Sequence, residues 1–137
     1  MKNYRTGVYL FFDLLVYTHL DACPEMPDTD FVRLSDEEVY KYDKFIKFFL
    51  ADIEDLDNID ELIRKILNFA GTLWLVQPFY DGNTRTIVRF ITLVLRRFNY
   101  KINSDLNSNI IPIFYDENET CNDKKVEDLK RKLQKIN

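Results

Sequence analysis

The chain has 137 residues, 46% of them apolar and 15% aromatic, which suits one domain with a real core and excludes a disordered chain. Nineteen basic against 23 acidic residues leave a net charge of −4, so a broad nucleic-acid interface is not expected. With three glycines, one histidine and no Cys-x-x-Cys, dinucleotide fingerprints, Walker loops and zinc sites built on several histidines are excluded.

In chain order, residues 8–20 form the most apolar run. Asp13 interrupts it, and it is shorter than the ~18 residues of a membrane span. Leu20-Asp21-Ala22-Cys23 imitates a lipoprotein cleavage site, but Asp13 and Asp21 argue against export. Two distant cysteines, Cys23 and Cys121, fit a reducing compartment. The expected location is therefore the cytoplasm, or a host cell into which the protein is delivered. Residues 4–20 suit either a strand or a helix. Residues 21–35, with Pro24 and Pro27, read as a loop.

Ser35 and Glu38 form a capping box, so a helix is predicted to start there. Val39, Tyr42, Phe45, Ile46, Phe49 and Leu50 follow a 3.6-residue period. Asn58 or Asp60 opens a second helix, which must stop before Pro78 because the residue preceding proline is pushed out of the helical region. A third helix over about residues 84–98 is apolar almost all round, which predicts a place at the centre of the fold. Residues 110–115 are a short apolar run. A last amphipathic helix over about residues 123–136 presents Val126, Leu129, Leu133 and Ile136. The expectation is an all-α single domain over 1–137, mainly α, with a short hairpin near the N-terminus left open.

Chemistry concentrates in the loop Gln77-Pro78-Phe79-Tyr80-Asp81-Gly82-Asn83-Thr84-Arg85. Gly82 allows a positive φ, and Asn83 is suited to cap the next helix. The backbone N–H groups of that helix start make an anion site. Arg85 adds a guanidinium on the first turn, and Asp81 a carboxylate of the kind a phosphate-bound Mg²⁺ needs. The same residues also suit an ordinary helix–loop–helix turn with a surface arginine.

This loop resembles the signature of the Fic/Doc (Fido) family, H-x-F-x-(D/E)-G-N-G-R-x-x-R. Phe79, Asp81, Gly82, Asn83 and Arg85 match, and the resemblance extends over about residues 35–100. It implies a Fic-like helical core with a central buried helix after the loop. It also implies ATP, or another nucleotide, bound with Mg²⁺, and transfer of AMP to a hydroxyl of a target protein. Carried over, Asp81 would hold Mg²⁺, while Gly82, Asn83 and Thr84 would cradle phosphates. Arg85 would pair with phosphate charge, and Phe79 would anchor the loop from below. The family's hairpin flap, which aligns a target peptide, would start at residues 4–8. A first core helix or strand is the alternative reading of that segment.

Three positions depart from the signature. Gln77 replaces the histidine that serves as general base. A carboxamide has no pKa near neutrality, so transfer should fall by at least ~10²–10⁴-fold. Thr84 replaces a glycine, which narrows the anion nest. Val88 replaces the second arginine, and Arg89 lies about 100° further round the helix. No Ser or Thr lies four residues before any glutamate, so the family's inhibitory helix motif is missing from the sequence. His19, beside an apolar run, reads as structural unless the fold carries it to the loop.

The expected function is that of a degenerate Fic-domain protein that binds a nucleotide or phosphate with impaired catalysis. The alternatives are a non-catalytic protein-interaction module and a transferase with altered chemistry. The expected partner is a protein target or regulator, not nucleic acid or membrane.

Overall fold

The computed structural model describes residues 4–25, 32–103 and 122–136. Its elements are α1 (Leu10–Ala22), α2 (Asp36–Ile53), α3 (Ile59–Val76), α4 (Asn83–Arg97), β1 (Tyr100–Ile102), α5 (Asp123–Arg131) and β2 (Leu133–Lys135). The fold is mainly α, with β1 and β2 paired antiparallel, Lys101 opposite Gln134. The apolar run over 110–115 and Cys121 lie outside the described residues.

The N-terminal segment is not a hairpin. Gly7 adopts φ +91°, a left-handed turn with open space where a Cβ would stand. Its N–H donates to Asp13 Oδ2 at 2.7 Å, and the Tyr4 hydroxyl donates to Asp13 Oδ1. Burial and that carboxylate push the Tyr4 phenol far above its ordinary range. Asp13 is buried, so these two donors stand in for the water it loses, and they fold the chain back onto α1 instead of into a strand. Tyr9, at the start of α1, offers no side-chain cap. Asp43 of α2 supplies one instead, accepting from the N–H groups of Phe11 and Phe12 at 2.8 and 2.9 Å.

The capping box of α2 forms, with Glu38 N–H to Ser35 Oγ at 3.2 Å and Ser35 N–H to Glu38 Oε1 at 3.1 Å. Asn58 caps α3, accepting from Glu61 N–H at 3.1 Å. Phe49 stacks on Phe69 with ring centres 3.9 Å apart, which ties α2 to α3. Helix α4 packs on α1, α3 and β1, burying Ile87, Phe90, Ile91, Val94 and Leu95. It is less enclosed than its apolar run suggested. Arg85, Arg89, Leu93 and Arg96 stay exposed along its outer side.

The last helix is also shorter than its periodicity implied, ending at Arg131. Val126 and Leu129 are buried against the core. Residues 133–135 then extend and pair with β1, and Ile136 N–H reaches Asn99 O at 2.7 Å. The edge of β1 offers backbone partners at that point, and they outweigh helix continuation. Among the described residues, no helix is long and apolar enough to cross a membrane.

Candidate functional site

The loop between α3 and α4 is held by its own polar groups. Gln77 ends α3 in the left-handed region at φ 51°, which costs a non-glycine residue about 1–3 kcal/mol. Its side chain offsets part of this. Nε2 donates to Trp74 O at 2.8 Å, and Oε1 accepts from Asn83 Nδ2 at 3.1 Å. Arg33, which sequence reasoning missed, caps the same helix end. Its Nε donates to Gln77 O at 2.7 Å and its Nη2 to Val76 O. A cation there also suits the negative pole of α3.

Pro78 and Phe79 are buried. A bridge between Val32 and Phe79, with Arg33 N–H on Pro78 O at 2.9 Å, ties the loop to the segment before α2. The Phe79 ring is 1% exposed, 4.3 Å from the His19 ring and 6.4 Å from Phe12. Phe79 is thus packed into the core beneath the loop.

Asn83 does not cap α4 with its side chain. Gly82, at φ 77°, is the N-cap and makes no side-chain bond. The Asn83 carboxamide is buried and turned back on the loop. Its Oδ1 accepts from Phe79 N–H at 3.0 Å, and its Nδ2 donates to Phe79 O at 2.8 Å. One side chain thus satisfies both backbone groups of a buried residue. Thr84 Oγ1 accepts from Trp74 Nε1 at 3.3 Å, and Thr86 Oγ1 donates to Gly82 O at 2.8 Å.

Asp81 is exposed, and its Oδ1 accepts from Gly82 N–H at 2.8 Å. The first intrahelical bond of α4 runs from Thr86 N–H to Gly82 O. The N–H groups of Asn83, Thr84 and Arg85 precede it and point out of the helix start, where an anion is favoured. Arg85 and Arg89, one turn apart, face the end of α1. Arg85 pairs with Glu25, holding that carboxyl below the usual range, and Arg89 pairs with Asp21 at 2.7 Å. Val88 is partly buried and supplies no charge.

The fold does carry His19 to the loop, but beneath it. His19 is fully buried, and its Nε2 lies 2.8 Å from Asp81 O. A carbonyl only accepts, so Nε2 carries the proton and is not a base. The Sγ of Cys23, also buried, lies 3.9 Å from Gly82 O. Burial lowers the His19 pKa from its ordinary value near 6.5, outweighing the opposing bond to Asp81. The unfolded chain therefore binds more protons below that value. Stability contributed by neutral His19 is present above about pH 6.5 and lost on acidification. Unfolding free energy is expected to fall between pH 7 and 5.5 by up to about 1.4 kcal/mol per pH unit, the limit for one proton. Denaturant titrations of the protein and of His19→Gln check this, the variant losing that slope.

The resemblance implies Mg²⁺, and one exposed carboxylate with an open oxygen fits a phosphate-bound ion that keeps its waters. No group of three or more His, Cys, Asp or Glu side chains gathers as an all-protein metal site among the described residues. Comparison with known proteins gives no match to any family model, curated protein or solved structure.

Proposed function

We propose that the protein binds a nucleotide or another phosphate-bearing ligand at the start of α4, on a degenerate Fic-like core that transfers AMP poorly or not at all. One observation carries this reading. Gly82 turns the chain into α4, with the exposed Asp81 just before the first-turn N–H groups and the exposed Arg85 at the end of that turn. A phosphate would take the N–H groups and Arg85. Asp81 would hold Mg²⁺, which would offset phosphate charge. The impairment follows from Gln77. Its carboxamide is committed to Trp74 O and Asn83 Nδ2, and a carboxamide accepts no proton from an attacking hydroxyl. His19 offers no replacement base to an incoming hydroxyl, because its ring is fully buried beneath the loop, with Nε2 held on Asp81 O.

A second reading, a non-catalytic interaction module, is favoured by the internal use of the loop's polar side chains. Gln77, Asn83 and Thr84 all bond within the loop and its flanking helices. Calorimetric titration of Mg·ATP and Mg·ADP separates the two. Binding is expected in the protein and is expected to weaken at least tenfold in Arg85→Ala, a charge-assisted contact being worth about 1.5–3 kcal/mol. Glu25→Ala, which removes the competing carboxylate, is expected to tighten binding. No heat and no thermal shift with either nucleotide, in a folded sample, would leave the interaction module.

A further inference from the structure

Away from the loop, α1, α2 and α4 enclose a groove of about 330 Å³. Its walls are Leu14 and Tyr17 of α1, Leu50 of α2 and Leu93 of α4, with Phe90 on its floor. Leu14, Tyr17 and Leu93 are 43%, 53% and 42% exposed, although all are large and apolar. Helix α1 is apolar on two sides. Phe12, Leu15 and Val16 enter the core, while Leu10, Leu14 and Tyr17 form a second stripe facing out. An apolar stripe left in water on a helix that already has a buried face marks a binding surface.

The charges at the groove select the ligand. Asp21 lines one part, but Arg89 neutralises it at 2.7 Å. Arg97 lines another part, is exposed, and has no ion-pair partner among the described residues. Glu54 lines the adjoining recess with Arg97, but no ion pair joins them. The groove is therefore apolar along its length with one uncompensated guanidinium. A methylene occupies roughly the volume of a water molecule, about 30 Å³, so the space accepts a chain of about ten carbons.

We infer that this groove binds a dispersed single-chain amphiphile with an anionic head. The chain lies along Leu14, Tyr17 and Leu93, and the head meets Arg97. This site is separate from the loop and does not depend on nucleotide binding.

The test is a two-dimensional ¹H–¹⁵N titration of the full chain with sodium dodecanoate below its micelle concentration, with dodecyltrimethylammonium as the charge-reversed probe. Saturable shifts confined to α1, the end of α2 and α4 are expected with dodecanoate. Arg97→Gln is expected to weaken dodecanoate about tenfold while leaving dodecanol unchanged. Shortening the chain from ten carbons to eight, both within the length the groove holds, is expected to weaken binding about tenfold. Leu93→Gln, at an exposed position that should not disturb folding, is expected to weaken both the acid and the alcohol. The inference is overturned by absence of saturable binding or by equal affinity for the two head charges. Two other outcomes overturn it: a dimer that Leu93→Gln abolishes, meaning a second copy covers the groove, and binding to anionic vesicles without binding to the dispersed acid.

Discussion

Phe79→Ala is expected to destabilise the folded chain by about 3–5 kcal/mol and to lower its melting temperature by about 10–20 °C. The ring is 1% exposed, with Phe12 and His19 against it, so truncation leaves a cavity lined by parts of α1 and the loop. Those walls have little freedom to collapse. His19 is tied to Asp81 O, and the Phe79 backbone is bridged to Val32. Thermal and denaturant unfolding measure the loss. Phe79→Leu, which refills most of the space, should recover more than half of it. A loss below about 1 kcal/mol in the alanine variant would contradict the packing role.

Asn83→Ala is the second large effect, at about 2–4 kcal/mol. The variant removes the acceptor of Phe79 N–H and the donor to Phe79 O, both in buried surroundings. Each group stripped of its partner away from water costs about 1–3 kcal/mol. The variant also frees Gln77 Oε1 and removes one of the bonds that offset the left-handed backbone at Gln77. Asn83→Asp discriminates the two halves of the staple. It keeps an acceptor for Phe79 N–H but turns a carboxylate oxygen toward Phe79 O and Gln77 Oε1, so it should be no more stable than the alanine variant. Hydrogen exchange at Phe79 reads the staple directly, since its N–H should lose protection in Asn83→Ala while the amides of α2 keep theirs. If Asn83→Asp matches the original stability, the staple is not as described.

Local signals announced the helices wherever the chain carried its own start and stop. Ser35 with Glu38 defines the start of α2 through bonds three residues long, so spacing reveals it, whereas the start of α3 stayed open between Asn58 and Asp60 until the structure put the cap on Asn58. Pro78 forces the end of α3 by sterics that need no partner. The burial of Phe79 and the positive φ of Gly82 were legible for the same reason: bulk and the lack of a side chain are properties of the residue itself. Asn83 was misread because the same carboxamide suits a helix cap and a backbone staple. The choice depends on where Phe79 is buried.

What the sequence determined by itself was the mainly α class, the capped start of α2, the loop between α3 and α4, and the absence of a proton acceptor at Gln77. These are set by residue chemistry and by neighbours a few positions away. Only the tertiary structure decided what lies against that loop. It set Asp43 on the start of α1, Arg33 on the end of α3, His19 under Asp81, and Glu25 and Asp21 on the arginines of α4. Each of these joins residues that are far apart in the chain. It also turned Tyr4 and Gly7 onto Asp13 and drew residues 133–135 into a strand beside β1. In both places the deciding partner is a buried carboxylate or an open backbone edge, and periodicity along one segment carries no information about either.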